Sequence, residues 1–184
     1  MKFPALETQR LKLVEITYNH VESLFEVLSL EEVTKYYGTD PFTSRGEAIK
    51  LIDLFQKIFF EKRGIRWGIV LKHNYKLIGT LGLNNLQLNN KRAEIGYEIH
   101  PYYWRKGLTT EAIREVLRYG YEELALFRIG AVVYPENEAS LTLLNKFGFT
   151  NEGLLRAYMY QNNQLYDTYI LSLLRPEWEK GQEE

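Results

Sequence analysis

The chain contains no cysteine, and this absence excludes several kinds of chemistry. Disulfide bonds, thiolate metal sites and a cysteine nucleophile are all excluded. A sequence without cysteine is also typical of proteins in a reducing compartment, so we expect a cytoplasmic protein. The histidines His20, His73 and His100 are scattered without the spacing of metal ligands, and we therefore predict no metal site.

Long apolar runs and an excess of charge of one sign are also missing. No apolar segment approaches the roughly 18 residues of a membrane-spanning helix, and the residues after Met1 lack the apolar core of a secretory signal. Lysine and arginine together number 23 and aspartate and glutamate 24, which gives a net charge of −1. This balance provides no electrostatic reason to expect a nucleic-acid or membrane partner.

The length of 184 residues is that of one domain with a sizeable core. No repeat, low-complexity tract or linker divides the sequence. We therefore expect a single domain over residues 1–184, in which residues 175–184 form a charged, frayed tail. Aromatic residues are abundant, and we expect Tyr36 and Tyr37 to belong to the core rather than to a pocket.

Apolar periodicity divides the chain into strands and helices. The predicted strands are residues 10–16, 67–72, 76–83, 93–99, 128–134, 152–161 and 164–173, and the predicted helices are residues 18–30, 44–61, 107–124 and 138–147. The order β-α-α-β-β-β-α-β-α-β-β predicts an α/β fold with a mixed sheet of about seven strands. Strand 93–99 should run parallel to strand 128–134, because the helix between them makes a right-handed crossover.

The loop that joins strand 93–99 to the following helix has the composition of a phosphate-binding turn. Arg105 and Lys106 precede Gly107, which lies where the helix begins. Glycine allows a tight turn and close approach to the backbone. The first N–H groups of a helix lack intrahelical partners and carry partial positive charge, which favours an anion. An ordinary strand-to-helix connection would explain the same residues, and the P-loop and dinucleotide glycine patterns are both absent.

Three local patterns, taken together with the element order, resemble a known family. The first is Trp104-Arg-Lys-Gly-Leu-Thr-Thr-Glu-Ala112 after the strand at 93–99, the second is Pro135-Glu-Asn-Glu-Ala-Ser-Leu141, and the third is Lys146-Phe-Gly-Phe-Thr-Asn-Glu-Gly153. They are similar to the GNAT superfamily of acetyl-CoA-dependent N-acetyltransferases, and in particular to its RimJ/RimL branch, which acetylates ribosomal proteins. The resemblance extends from Glu7 to Trp178.

Two positions depart from the superfamily pattern. The signature [Q/R]-x-x-G-x-[G/A] has Trp104 in its first place and Thr109 in its last. Trp104 is usual for the RimJ/RimL branch, and Thr109 still presents its backbone N–H. Many members carry a tyrosine general acid at the position of Leu144. Leucine cannot donate a proton, so that role must move elsewhere or be unnecessary.

The resemblance implies acetyl-CoA as co-substrate. Backbone amides from Arg105 to Thr109 would hold the pyrophosphate, and the pantetheine arm would pair with the strand near Ile99, where it splays from strand 128–134. The expected cofactor-binding residues are Ile99, Arg105, Lys106, Gly107, Leu108, Thr109, Thr110, Asn137 and Lys146. Helix capping alone would also explain Asn137.

Glu98 and Ser140 are the candidate catalytic residues. Glu98 would lie beside the thioester and act as the base, and Glu94, on the same strand face, is the alternative. Such a glutamate would work through a water molecule or with a pKa raised by burial. Ser140 is the nearest hydroxyl to Leu144 on its helix face and would protonate the departing thiolate. Charges on a half-exposed strand and a surface serine are the plain structural explanations.

The resemblance therefore implies an enzyme in which an acceptor amine attacks the thioester directly, in a ternary complex. The acceptor we expect is the N-terminal α-amine of a protein, in particular a ribosomal protein. Two alternatives stay open at this point: an acetyltransferase of a small amine such as an antibiotic or polyamine, and a catalytically weak CoA-binding regulatory module, which Leu144 favours. A homodimer is left open as well.

Overall fold

The computed structural model describes residues 2–182. Its strands are β1 (Leu6–Glu7), β2 (Leu11–Glu15), β3 (Ile65–Leu71), β4 (Leu77–Gln87), β5 (Arg92–Ile99), β6 (Arg128–Val133), β7 (Thr150–Gln161) and β8 (Gln164–Leu174). Its helices are α1 (Val21–Leu28), α2 (Glu31–Thr34), α3 (Arg45–Phe60), α4 (Leu108–Arg118), α5 (Glu138–Lys146) and α6 (Arg175–Lys180). None of the helices within this part of the chain is long and apolar enough to cross a membrane.

The strands form an eight-stranded sheet in the order β1-β2-β3-β4-β5-β6-β8-β7. The β5–β6 pair is parallel and the other neighbours are antiparallel, so the predicted mixed α/β fold is confirmed. Sequence periodicity missed β1, because two residues are too few to show an alternation. The central helix ends close to its predicted end at residue 124, because α4 ends at Arg118 and continues directly as a turn of π-helix, Tyr119–Glu123.

The expectation of a frayed tail is wrong for the residues that follow β8. Those residues form α6, and the Glu177 side chain accepts a hydrogen bond from the Leu174 N–H at 2.8 Å. Trp178 is buried and stacks on Tyr121, with ring centroids 5.1 Å apart. The sequence analysis predicted a frayed end here because most of these residues are charged, and it gave no weight to Trp178. Glu183 and Glu184, the end of the expected tail, lie outside the described residues.

Helices cover both faces of the sheet. On one face α4 buries a stripe with the spacing of an amphipathic helix, Leu108, Ala112, Ile113, Val116 and Leu117, and Leu144 of α5 joins the same core. On the other face α1 and α3 pack against Val70 and Leu77. The two sides of β5 therefore face different surroundings, and residues that alternate along this strand enter different layers.

The two central strands separate after a short parallel contact. β5 pairs with β6 only at Arg92–Arg128, Ala93–Ile129 and Glu94–Gly130. By contrast, β5 stays paired with β4 as far as Ile99, and β6 stays paired with β8 as far as Val133. The predicted splay is confirmed. It leaves backbone N–H and C=O groups in the middle of the sheet without strand partners, and such groups require another source of hydrogen bonds.

Candidate active site

The loop between β5 and α4 has a backbone conformation that leaves a run of amides free. Arg105 has a φ of 59° and Gly107, the N-cap of α4, a φ of 73°. Among residues 2–182, no backbone carbonyl accepts from the amides of residues 105–110; the first such bond is from the Glu111 N–H to the Gly107 carbonyl, at 3.1 Å. Unpaired amides at a helix N-terminus are the groups that bind phosphate.

Side chains fix this loop to its neighbours on both sides. The Trp104 indole N–H donates to the Ile99 carbonyl at 2.8 Å, which ties the loop to the end of β5. The Lys106 ammonium lies 4.0 Å from the ring centroid of Tyr102 and 5.3 Å from that of Tyr103, a cation–π arrangement. These contacts hold the positive charge of Lys106 next to the loop.

The first turn of α4 is joined to the turn before β2 through Glu111. Its Oε1 accepts from the Thr8 hydroxyl at 2.5 Å and from the Arg10 backbone N–H at 2.7 Å, and its Oε2 accepts from the Arg10 Nε at 2.6 Å. Arg10 also donates through Nη1 to the Lys106 carbonyl at 2.9 Å. Burial acts to raise the pKa of Glu111, but the Thr8 and Arg10 hydrogen bonds outweigh it and hold that pKa below its ordinary value.

Two hydroxyl groups meet at the open end of the splay, on the α4 and α5 side of the sheet. Asn137 caps α5 by accepting from the Ser140 N–H at 3.2 Å, and the Ser140 Oγ lies 2.7 Å from the Tyr97 hydroxyl. Burial raises the pKa of Tyr97 to about 12, with the Ser140 hydrogen bond acting in the opposite direction. Leu144 is fully buried. Tyr97 was not among the predicted site residues. It alternates with Glu98 along β5, so the two side chains enter different layers.

Glu98 lies on the opposite face of β5, in a buried ion pair. Its side chain is 4% exposed and that of Arg66 is 6% exposed. Arg66 Nη2 donates to Glu98 Oε2, and the Thr80 hydroxyl donates to Glu98 Oε1. Burial raises the pKa of Glu98, while the charge of Arg66 and the Thr80 hydrogen bond act to lower it. The carboxylate thus has the burial that a raised pKa requires, but both of its oxygens are engaged.

Arg66 makes two further hydrogen bonds and lies close to two aromatic rings. Its Nε donates to the Thr80 Oγ1 at 2.7 Å and its Nη1 donates to the Gly96 carbonyl at 3.0 Å. The guanidinium carbon lies 5.7 Å from the ring centroids of both Tyr37 and Phe55. No local sequence pattern identified Arg66, because its partner is 32 residues away.

The remaining predicted residues are not all brought together. Glu94, the alternative base, accepts from the Asn85 Nδ2 at 2.9 Å and belongs to the paired start of β5, away from the splay. Lys146 is exposed in the last turn of α5, at the opposite end of that helix from Asn137. The other predicted residues border the splay. They are Ile99 at the end of β5, the loop of residues 105–110, and Asn137 and Ser140 at the start of α5.

A cavity of about 430 Å³ lies beyond the end of β6, between the α2 region and the β7–β8 turn. Tyr134 packs against Tyr36 and Tyr166, with ring centroids 5.7 and 5.6 Å apart. The charged groups that line the cavity are Glu31, Lys35 and Glu136. Tyr36 therefore lines a cavity, and its assignment to the core is wrong.

Gln161 closes one side of this cavity. Its Nε2 donates to the carbonyls of Thr34, at 3.0 Å, and Thr39, at 2.8 Å, and its Oε1 accepts from the Tyr134 hydroxyl at 2.9 Å. The α2 region and the β7–β8 hairpin are thereby joined across the cavity.

Comparisons with known proteins agree with this geometry. Residues 10–150 match the family described as acetyltransferase (GNAT) domain. The chain is 50% identical over 174 residues to the uncharacterized N-acetyltransferase YoaA of Bacillus subtilis (strain 168), covering 95% of this chain and 98% of that protein. It is 30% identical over 125 residues to the [ribosomal protein uS5]-alanine N-acetyltransferase of Escherichia coli (strain K12), covering 66% of this chain and 64% of that protein.

The fold is also that of a solved structure, the spermidine N-acetyltransferase of Vibrio cholerae in complex with CoA and spermine. The TM-score is 0.80 at 22% identity, and the match covers 92% of this chain and 98% of that chain. At this identity the likeness demonstrates a common fold. Together with the family match over residues 10–150, it shows that the chain belongs to the GNAT acetyltransferase family and is an acetyl-CoA-dependent N-acetyltransferase.

Proposed function

We propose that this enzyme transfers the acetyl group of acetyl-CoA to the N-terminal α-amine of a protein, as RimJ/RimL-type enzymes do. The observation that carries the proposal is the charge of the cavity beyond β6. Glu31 and Glu136 attract a cation and the tyrosine rings favour it, but Lys35 offsets one carboxylate. The lining therefore suits an acceptor with a single ammonium group better than a polycation, which would require a denser set of carboxylates.

The residues present fit the acetyl donor. The unpaired amides of residues 105–110 match the acceptor oxygens of a pyrophosphate, and Arg105 and Lys106 supply charge. The edge of β5 beyond Glu94, as far as the Ile99 carbonyl that Trp104 engages, matches the amide groups of a pantetheine arm. Asn137 would hydrogen-bond the arm in addition to capping α5, and Lys146 would contribute only long-range charge to the phosphates.

An α-amine suits a site with weak acid–base assistance. Reference pKa values are about 7.7–8.0 for an α-amine and about 10.4 for lysine, so near pH 7.8 about half of the α-amines, but only a few lysines per thousand, are neutral nucleophiles. The neutral amine attacks the thioester carbonyl, the C–S bond breaks, and the amine loses its proton. A thiol with a pKa near 8.5, taking cysteine as a guide, leaves with little help.

Ser140 and Glu98 are the groups we propose for the two proton transfers. Ser140 lies at the open end of the splay, with the Tyr97 hydroxyl behind it, and would donate to the departing sulfur. Glu98 would accept the proton of the amine, and because Arg66 and Thr80 already engage its oxygens we expect a contribution at the low end of the 10²–10⁴-fold range of general catalysis. A cytoplasmic location is part of the same proposal.

The test is a set of acceptors assayed by thiol release and mass spectrometry. One peptide has a free N-terminus and acetylated lysines, its matched control has a blocked N-terminus and free lysines, and spermidine is the third acceptor. We expect turnover with the first peptide alone. Acetylation confined to the lysine side chain would refute the proposal.

The second candidate function is acetylation of a polyamine or another small amine. The pair of carboxylates among three tyrosine rings is the observation that favours it. This candidate predicts turnover of spermidine and none of either peptide. A CoA-binding regulatory module predicts no thiol release with any amine.

A further inference from the structure

We propose that Arg10 is a positioning residue for the pyrophosphate of acetyl-CoA, acting through the loop at residues 105–110. In this role it orients the loop backbone and compensates the negative charge of Glu111 next to the bound phosphates. The inference rests on the proposed placement of the pyrophosphate at this loop. It concerns a side chain from the start of the chain, 96 residues before Lys106.

Arg10 fixes the orientation of one peptide group in the loop. Arg10 Nη1 holds the Lys106 carbonyl at 2.9 Å. The peptide group between Lys106 and Gly107 is planar and trans, so its N–H points opposite to its C=O. Arg10 therefore holds the Gly107 N–H directed away from the guanidinium, with its hydrogen available to a ligand on the other side of the loop.

Arg10 also compensates the negative charge of Glu111. Glu111 lies in the first turn of α4, directly after the unpaired amides. A carboxylate in a first helical turn is attracted to the same dipole and amides as a bound anion, and it repels that anion. Both Glu111 oxygens are instead turned towards Thr8 and Arg10, and the Arg10 guanidinium neutralises the carboxylate at 2.6 Å.

The attachment of α4 to the turn before β2 does not depend on the Arg10 side chain alone. Removal of the Arg10 side chain leaves two hydrogen bonds to Glu111 in place, from the Thr8 hydroxyl and from the Arg10 backbone N–H. The Arg10 side chain is also 46% exposed, so little packing depends on it. The turn before β2 therefore keeps its attachment to α4 in an Arg10→Ala variant, whereas the Lys106 carbonyl and the Glu111 charge lose their partner.

Calorimetric titration measures the effect directly and needs no acceptor. CoA tests the whole ligand, and ADP tests the nucleoside diphosphate part without the pantetheine arm. We expect Arg10→Ala to weaken both by the same factor, about tenfold, as the loss of one charged hydrogen bond implies. With S-acetyl-pantetheine, a donor without phosphates, kcat/KM should be unchanged. Arg10→Lys, which restores the charge but not the fork of donors, should recover part of the loss.

The decisive variant is Arg10→Ala/Glu111→Gln. If Arg10 acts by compensating charge, removal of the Glu111 charge should restore CoA affinity to within about threefold of the unmodified enzyme. A double variant that binds CoA no more tightly than Arg10→Ala would show that Arg10 does not act by compensating charge and would overturn the proposal, as would an unchanged CoA affinity in Arg10→Ala. If the proposed acceptor is incorrect, these titrations are unaffected, because they contain no acceptor. If the pyrophosphate binds elsewhere, ADP should bind equally well to every variant of the loop at residues 105–110.

Discussion

Two polar regions of this enzyme treat their hydrogen-bonding groups in opposite ways. The loop at residues 105–110 leaves its backbone amides without carbonyl partners among residues 2–182. On the α1 and α3 side of the sheet, the buried side chains of Glu98, Arg66 and Thr80 hydrogen-bond one another. Backbone amides that have no partner at the surface are available to a ligand. Charged side chains in the interior have lost their water and therefore need partners within the protein. Substitutions in the first region should therefore cost affinity, and substitutions in the second should cost stability.

Arg66→Met is the substitution with the largest expected effect, because it leaves Glu98 as an unpaired buried carboxylate. Removing one partner of a buried pair lowers the free energy of unfolding by about 3–5 kcal/mol. Burial already raises the pKa of Glu98, and loss of Arg66 raises it further. A raised folded-state pKa means that stability is present below the unfolded pKa and is lost as pH rises through the folded-state pKa. Urea titrations should show a deficit that grows upward from about pH 4.5.

The matched control is Arg66→Met/Glu98→Gln. It contains no buried charge at this position, so it should exceed the single variant in stability at neutral pH and show no added dependence on pH in that window. Equal stability of Arg66→Met at pH 5 and pH 8 would contradict the assignment.

Gly107→Val tests the other region. A β-branched residue is strained at a φ of 73°, whatever the space around its Cβ, and relief of that strain would change the loop conformation. We expect CoA affinity to fall about 100-fold, as the loss of one or two charged hydrogen bonds implies. The control is Gly148→Val, at a φ of 84° beyond α5. Both variants should lose similar stability, and only the first should lose affinity by calorimetry.

Glu98→Gln tests the catalytic role proposed for Glu98. If Glu98 is the base, turnover should fall about 10–100-fold while acetyl-CoA affinity stays nearly constant. The loss should shrink as pH rises, because more of the acceptor amine is then neutral without help. Steady-state rates across pH 6.5–9.5 give the profile, with Glu94→Gln as the control. A profile that matches the unmodified enzyme would remove Glu98 from the mechanism and leave it a purely structural ion pair.

Tyr97→Phe has the smallest expected effect. Ser140→Ala should lower kcat about tenfold and Tyr97→Phe about threefold, because the thiolate is a fair leaving group. Since Tyr97 would act only through Ser140, the double variant should be no slower than Ser140→Ala. Multiplicative losses would mean that the two hydroxyls act independently.

The sequence predicted the parts of the molecule that depend on local pattern. The strand alternation, the apolar stripe of α4 and the parallel β5–β6 pair were predicted correctly, because each follows from side-chain periodicity or from a connection rule. The splay of that pair was expected from the family resemblance alone. Gly107 was correctly placed where the central helix begins, and as the N-cap of α4 it accepts a φ of 73° at little cost.

The contacts that sequence reasoning missed join distant positions. Arg66 and Glu98 are 32 residues apart, and Tyr97 and Ser140 are 43 apart. A single sequence contains no pattern that pairs such residues, because the pairing depends on strand register and helix placement. The helix α6 was missed for a different reason. Burial of Trp178 alone attaches this segment to the core, although most of its neighbours are charged.

The brief contact between β5 and β6 also bears on how acetyl-CoA affects the enzyme's rigidity. Three residue pairs join two antiparallel half-sheets, β1–β5 on one side and β6–β8 on the other. A pantetheine arm in the gap would act as an additional strand and bridge the halves. Amide hydrogens at the inner edges, near Ile99 and Val133, should exchange fast in the free enzyme and slowly in the complex. The melting temperature should rise with acetyl-CoA concentration, because the ligand binds only the assembled sheet.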